Sequence, residues 1–379
     1  MLYLLTDGFG GQGGIAQFNR DLLKATCSHP SVSEVVAFPR YADRQISELP
    51  IKLRYDARFA RGKLRYAMGV TAWLLNERSI DLIVCTHLHL QSLAVLARWM
   101  KGVPSLLVLH GVEAWTPPRA SIRRIAAQNV DWVAAVSRFT LRRFSEWATP
   151  SKERAVVLPC CVDLERFMPG PPSKAVSNKY SLEGAAVILS LGRLANAERY
   201  KGFDELLDVL SDLRTQEPNV LCVIAGTGDD QARLEAKAHA LGLHDCVRFT
   251  GFVPDEELAD IYRAARAFVL AGCGEGFGIV LLEAMACGIP VVASTLDGSF
   301  EAVKGGKLGG VVDPRDRVAL IAAIRDALHR PLGIRPVGLE HFGYKAFEKR
   351  VHKLIEDITG PPRRQEGVLG GEQVPGETR

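Results

Sequence analysis

The sequence predicts an α/β protein built as two doubly wound domains that face each other across a cleft. Apolar, β-branched runs alternate with helical patterns along nearly the whole chain, the mark of parallel sheets covered by helices on both faces. The alternation occurs twice, once on each side of the Pro-, Gly- and Ser-rich stretch M-P-G-P-P-S-K-A-V-S-N-K within Phe167–Tyr180. A length of 379 residues, 47% of them hydrophobic, is enough for two cores.

In the first domain, residues 1–168, strands are expected at Leu2–Thr6, Val32–Phe38, Asp81–Thr86, Pro104–His110, Trp132–Ser137 and Ala155–Pro159. Helical patterns such as Gly14–Cys27 and Lys63–Glu77 fill the gaps. The second domain, residues 169–340, repeats the plan with Ala186–Gly192, Val220–Gly226, Val247–Gly251, Ala267–Leu270, Pro290–Ser294 and Val311–Asp313. About six strands in each half is the expectation. A last helix is expected at about Tyr344–Ile358, within 341–360. The tail 361–379 has almost nothing to bury and is expected to be disordered.

Net charge is only +4, but residues 1–175 carry 23 Lys/Arg against 14 Asp/Glu, and the remainder carries 24 against 29. The basic half includes Arg58, Arg61, Lys63, Arg65, Arg119, Arg123, Arg124, Arg138, Arg142 and Arg143, interleaved with Phe59, Tyr66, Trp132, Phe139, Phe144 and Trp147. Such segments can lie on anionic lipid, and they can equally be the solvated faces of ordinary helices. No run of eighteen apolar residues occurs, so no membrane span is expected. Met1 leads straight into a strand, without a basic region or cleavage site, which points away from secretion. The eight cysteines show no metal or redox spacing, including the adjacent Cys160 and Cys161, and suit a reducing cytoplasm. No nucleic-acid partner is expected.

Ligands of doubly wound sheets sit at the carboxyl ends of the strands, which directs the search to those loops. After the first strand, Gly8, Gly10 and Gly13 formally satisfy a dinucleotide fingerprint. A nicotinamide site is rejected, because Glu34 falls near the start of the second strand and Pro39-Arg40 stand where the ribose-binding acid belongs. That much glycine still implies close backbone approach to a ligand or to the facing domain. The run V-L-H-G-V-E-A-W places His110 at the cleft, with Glu113 as a second candidate. His87 and His89 end the preceding strand, but no carboxylate spacing supports a metal site with His110.

In the second half, L-G-R-L-A-N-A-E-R-Y-K-G-F-D puts Arg193 and Lys201 around a polar loop that opens a helix at about Gly202. Two cations at a helix N-terminus suit a diphosphate. Gly226 lies at the next strand end, and Phe252-Val253 after the one following could offer an aromatic edge and backbone atoms to a flat base. The densest stretch is A-G-C-G-E-G-F-G-I-V-L-L-E-A-M-A-C-G-I-P-V-V-A-S, Ala271 to Ser294. Its glycines expose free N–H groups at the start of an apolar helix, a natural anion site. Glu275 and Glu283 stand eight residues apart, about 12 Å on a helix at 1.5 Å per residue, too far for a glycosidase-like pair. The plainer reading is a capping loop with one satisfied glutamate.

Together these residues resemble the retaining glycosyltransferases of family 4, whose fold is GT-B, two Rossmann-like domains. The likeness rests on E-G-F-G-I-V-L-L-E with Glu275 and Glu283, on the G-R…K-G pair at Arg193 and Lys201, and on V-L-P-C-C-V-D-L-E-R-F-M-P-G at the hinge. It covers Leu2 to about Ile358. It implies a nucleotide-sugar, GDP- or UDP-linked, on the second domain and an acceptor on the first, with the last helix crossing back to the first domain. Glu275 would hold hexose hydroxyls beside the N–H groups of Phe277, Gly278 and Ile279, and Glu283 the ribose. Arg193, Lys201 and the helix opening at Gly278 would neutralise the diphosphate without a metal. Gly13 and Gly14 would close over it, and His110 would contact the sugar or the acceptor.

The chain departs from the family in a longer loop after Arg193, which leaves Asn196, Glu198 and Arg199 as alternatives for facing the phosphates. Cys160-Cys161 replace the hinge's usual asparagine-glycine, and the first strand begins so abruptly that the start of the chain is open. The expected function is transfer of a hexose, mannose or glucose, to an acceptor of bacterial surface polysaccharide assembly. A lipid-linked glycan at the inner membrane face is the acceptor favoured by the basic first domain. The alternatives are a soluble small-molecule glycosyltransferase, a sugar-nucleotide epimerase of like architecture, and a silent nucleotide-sugar-binding subunit.

Overall fold

Leu2–Leu5 (β1) is buried along its whole length, as a central strand covered on both faces must be. The computed structural model describes residues 1–42, 48–60, 62–77 and 79–360. Arg61 and the tail 361–379 lie outside the described residues. After β1 come α1 (Gly14–Ser28), β2 (Val35–Pro39), β3 (Leu53–Tyr55), α2 (Lys63–Asn76), β4 (Ile83–Cys85), α3 (Gln91–Lys101) and β5 (Ser105–Leu109). Then follow α4 (Val112–Trp115), α5 (Ser121–Gln128), β6 (Trp132–Ala135), α6 (Arg138–Ser145) and β7 (Ala155–Val157). Among the described residues these strands form a seven-stranded sheet in the order β3-β2-β1-β4-β5-β6-β7, every pair parallel.

The second half runs α7 (Lys174–Lys179), β8 (Ala186–Leu191), α8 (Phe203–Gln216), β9 (Val220–Ala225), α9 (Gln231–Ala240), β10 (Val247–Gly251), α10 (Leu258–Arg263) and β11 (Ala267–Leu270). It continues with α11 (Ile279–Ala286), β12 (Val291–Ser294), α12 (Ser299–Ala302), β13 (Gly310–Val312), α13 (Arg317–His329) and α14 (Tyr344–Thr359). Its sheet, parallel throughout, has the order β10-β9-β8-β11-β12-β13. The chain folds as GT-B.

The first sheet has one strand more than the six expected. In β3 only Leu53 is fully buried, and Arg54 beside it is exposed. Three residues at a sheet edge carry too little periodicity to stand out from a loop. The second strand also starts later than Val32, because Val32 is held in a turn by its N–H to the His29 carbonyl at 3.2 Å.

Helix α14 returns to the first sheet's side. Its buried stripe of Phe347, Val351, Leu354, Ile355 and Ile358 follows the helical period. Phe347 meets Phe18 of α1 edge-on at 5.6 Å. Glu348 accepts from the Ser28 hydroxyl at 2.6 Å, and His352 bonds the Ala25 carbonyl at 2.9 Å. One apolar cluster is continuous from Tyr3 and Val84 of the first sheet through Phe277 and Leu281 to Phe347. The two sheets therefore share a core, and their strand-end loops meet face to face.

The aromatic residues interleaved with those cations do not form an exposed face: Phe59, Trp132, Phe139 and Trp147 are only partly exposed. Tyr66 and Phe144 are buried in the first domain's core, so the idea of an exposed basic-aromatic face fails for them. The exposed apolar side chains on its helices include Leu64, Met68 and Leu75 of α2, Trp99 of α3, and Ile122 and Ile125 of α5. Among the described residues no helix is long and apolar enough to cross a membrane.

Candidate functional site

Glu275 sits in the turn between β11 and α11, so only Glu283 of the two glutamates is on the helix. Both backbone groups of Glu275 are tied to the loop after β12. Its N–H donates to the Asp297 carboxylate at 2.8 Å, and its carbonyl accepts from the Gly298 N–H at 2.8 Å. Asp297 also accepts from the Ser299 N–H and hydroxyl, at 3.0 and 2.6 Å. Burial pushes the Asp297 carboxyl up to about 6. The Glu275 side chain is thereby aimed at Lys201, with Oε1 2.6 Å from Nζ.

Lys201 directly precedes Gly202, the left-handed residue (φ 87°) that opens α8. Any Cβ at Gly202 would overlap the Ala271 backbone, so glycine is what lets this helix start abut the β11 loop. Burial would pull the Lys201 ammonium down, but Glu275 and Glu198 outweigh it and hold its pKa above the usual lysine range. Arg193 remains 68% exposed in its side chain and pairs with Glu198 at 2.8 Å. Of the three alternatives in this loop, Glu198 lies between the cations, 3.9 Å from Lys201. The Asn196 backbone N–H donates to the Asp229 carboxylate at 2.8 Å, and the Arg199 guanidinium pairs with Asp230 at 3.6 Å.

Gly278 (φ 86°) opens α11, and Ile279 follows as its first residue. Phe277 is buried, edge-on to Phe342 at 5.5 Å, so its side chain anchors the turn while its backbone lines it. In α11, Glu283 accepts from the Tyr262 hydroxyl at 2.7 Å. Burial raises its pKa to about 7, against the opposing pull of Tyr262 and Arg166. Phe252 is exposed and Val253 buried, just past β10. Gly226 donates its N–H to the Gly251 carbonyl at 2.8 Å, and a Cβ there would overlap the Gly192 carbonyl. Close packing of two strand ends therefore accounts for that glycine.

The first domain supplies the facing wall. Gly13 (φ 87°) opens α1, and a Cβ on Gly14 would lie 3.6 Å from Ile279 at the start of α11. Across the cleft, a Cβ on Gly276 would overlap the His110 carbonyl, so these loops touch backbone to backbone. His110 Nε2 is 2.8 Å from the Thr86 carbonyl, which can only accept, so Nε2 carries the proton. Burial lowers the His110 pKa, with Glu113 opposing, and keeps the ring neutral. Glu113 accepts from the His110 N–H at 2.6 Å. His87 accepts from the His89 N–H at 3.2 Å, as a cap, and burial drops its pKa to about 4. Among the described residues no group of three or more His, Cys, Asp or Glu is placed to hold a metal ion.

Three residues that no local pattern marks complete the arrangement. Tyr262 positions Glu283, and Asp297 holds the Glu275 turn. Glu301 of α12 reaches the other domain and accepts from the N–H groups of Arg138 and Phe139 at 3.0 and 2.8 Å, capping α6. At the hinge, Cys160 and Cys161 are buried thiols whose pKa values burial pushes up, and Cys161 donates to Asp21 at 3.5 Å. The Lys201–Glu275 pair thus sits beside the helix starts at Gly202 and Gly278, and the buried Glu283 lies on the helix that Gly278 opens.

Two family models match the chain: the one described as glycosyl transferases group 1 over residues 174–349, and glycosyltransferase family 4 over residues 12–166. The sequence is 38% identical over 254 residues to the GDP-mannose-dependent alpha-(1-6)-phosphatidylinositol monomannoside mannosyltransferase of Mycolicibacterium smegmatis, covering 64% of this chain and 65% of that protein. It is 36% identical over 302 residues to the D-inositol 3-phosphate glycosyltransferase of Geodermatophilus obscurus, covering 77% of this chain and 64% of that protein. The match thus spans just under two thirds of either relative's length. Among solved structures, sucrose-phosphate synthase of Thermosynechococcus elongatus shares the fold at 23% identity and a TM-score of 0.75, covering 94% of this chain and 98% of that one. Anabaena HepE, solved with UDP and glucose, shares it at 19% identity and a TM-score of 0.74, covering 94% and 99%.

Proposed function

The chain belongs to glycosyltransferase family 4, and from that premise we propose that it is a retaining hexosyltransferase using a GDP- or UDP-linked hexose, mannose or glucose. The observation that carries the reading is the Lys201–Glu275 pair at 2.6 Å, set between the helix starts at Gly202 and Gly278. A diphosphate placed there meets Lys201, Arg193 and two helix N-termini, which stabilise the negative charge that grows as it leaves. No metal is required for this step. Glu275 accepts from hexose hydroxyls, Glu283 from the ribose, and Phe252-Val253 border the base. Gly13-Gly14 and His110 close the site from the first domain. The C1–O bond to the diphosphate breaks, the acceptor oxygen bonds C1 on the same face, and the acceptor proton passes to the leaving phosphate oxygen. Neutral His110, with its Nε2 proton committed to Thr86, contacts the sugar or acceptor and does not shuttle that proton.

For the acceptor, we favour a lipid-linked glycan of bacterial surface polysaccharide assembly, met at the inner face of the membrane. Exposed Leu64, Met68, Trp99 and Ile122, on helices flanked by Lys63, Arg65, Arg119, Arg123 and Arg124, support contact with an anionic bilayer. The relationship to an inositol phosphate glycosyltransferase supports a second reading, a soluble phosphorylated acceptor.

Incubation with a panel of nucleotide sugars tests the reading. Release of nucleotide diphosphate, by transfer or slow hydrolysis, is expected. Interconversion of the sugar without release would instead identify an epimerase, and no turnover of any donor would leave a silent binding subunit.

A further inference from the structure

Glu198 has the wrong charge for the place it occupies. It lies in the short 3₁₀ turn Asn196–Lys201, between the two cations assigned to the diphosphate. Its Oε1 is 2.8 Å from Arg193 Nη2, and its Oε2 is 3.9 Å from Lys201 Nζ. Lys201 also holds Glu275 at 2.6 Å. Two cations thus face two carboxylates. An ionised carboxylate only accepts hydrogen bonds, as phosphate oxygens do, so Glu198 cannot bind a phosphate and can only compete with one. Phosphate oxygens that enter between Arg193 and Lys201 meet its repulsion along with the attraction of the cations.

The surroundings decide which carboxylate can give way. Glu275 is fixed through its backbone to Asp297 and Gly298, and it meets Lys201 at hydrogen-bond distance. Lys201 is fixed as well. The Tyr200 carbonyl before it accepts from the Cys273 N–H at 2.8 Å, and a Cβ on Gly272 would overlap that carbonyl. Glu198, by contrast, is held at its tip by Arg193, whose side chain is mostly exposed, and an ion pair at so exposed an arginine is weak. Among the described residues no hydrogen bond reaches its Oε2. The turn is anchored on either side of it, by the Asn196 N–H on Asp229 and by Arg199 on Asp230. Rotation of the Glu198 side chain therefore frees both cations while the turn stays in place.

We propose, resting on the transferase reading above, that Glu198 is a displaceable counter-ion of the donor site. It pairs with Arg193 and Lys201 until a nucleoside diphosphate takes them, and it returns as the diphosphate leaves. Glu198 thereby sets how tightly the diphosphate is held. The apparent Kd exceeds the intrinsic one in proportion to how seldom the cations are free.

The test is calorimetric titration of the full chain and of Glu198→Gln with UDP, GDP and ADP. The nucleotide that binds the wild type is expected to bind Glu198→Gln about tenfold more tightly, which corresponds to cations free in about one wild-type molecule in ten. Its affinity should also fall more steeply with sodium chloride in the variant, whose site keeps one uncompensated positive charge. Glu198→Ala, which removes the Arg193 contact altogether, is expected to tighten binding likewise and decides alone if the glutamine variant does not fold. Unchanged or weaker binding in a folded variant overturns the proposal and makes Glu198 a brace for Arg193. Tighter binding with the salt dependence of the wild type overturns it too, because charge is then not the cause. If none of the three nucleotides binds the wild type or either variant, the transferase reading itself falls.

Discussion

Lys201 and Glu275 are mutual partners, and that pairing sets what each can do. With its backbone held by Asp297 and Gly298, Glu275 has little freedom except at its carboxylate. Glu275→Gln keeps the shape but loses the charge, and is expected to lower transfer by about 10²–10³-fold while the circular dichroism spectrum stays native. Near-normal turnover would remove its assigned role. Glu283 adds a pH signature. Its folded pKa, near 7, lies above the ordinary 4.5, so its protonated form favours the ligand-free fold at low pH and that contribution fades as pH rises through about 7. The ionised carboxylate is the better acceptor for ribose hydroxyls. Nucleotide affinity should therefore rise from about pH 6 to about pH 8 in the wild type more steeply than in Glu283→Gln, where only the diphosphate titrates. Equal slopes in both, by calorimetry, would take Glu283 out of the ribose site. The two glutamates, the two cations and the glycines stand out in the sequence because they cluster within short motifs. Tyr262 and Asp297 do not, since each acts on a residue 21 or 22 positions away and only the folded sheet brings the pair together.

Among the elements, α6 is unusual in being capped from the other domain. Ser137 satisfies one of its N–H groups, and Glu301, 163 positions from Arg138, takes two more. Loss of a helix cap costs about 1–2 kcal/mol, so Glu301→Ala should lower the urea midpoint by that equivalent, and an unchanged midpoint would mean the contact carries no stability. Phe347→Ala in α14 should cost about 3–5 kcal/mol, because it empties a buried site shared with Phe18. Most elements were legible from apolar runs: the strands of the second sheet fall where the pattern puts them. Strand β3 was not, because Leu53–Tyr55 is too short to show a period and only its pairing with β2 makes it a strand. The basic helices show the same limit from the other side. Their charges could be counted, but Tyr66 and Phe144 turn inward, and Leu64, Trp99 and Ile122 turn out. Which face of a helix meets the sheet is a tertiary fact.

For the whole molecule, the two sheets share one core and their strand-end loops meet, with the first half of the chain the more basic. If α2, α3 and α5 rest on a membrane, sedimentation with liposomes should rise with anionic lipid content and fall with salt. Binding indifferent to both would detach the acceptor reading from the bilayer. The central claim, that Lys201, Glu275 and the helix starts at Gly202 and Gly278 cradle a nucleotide diphosphate, is tested most directly by thermal unfolding of the wild type and Lys201→Met with saturating GDP, UDP or ADP. A ligand at about 100 times its Kd stabilises the folded state by about 2.7 kcal/mol through mass action. At least one of the nucleotides should raise the wild-type melting temperature, and most of that gain should vanish in Lys201→Met. No gain with any of them, or the same gain in the variant, would contradict the site.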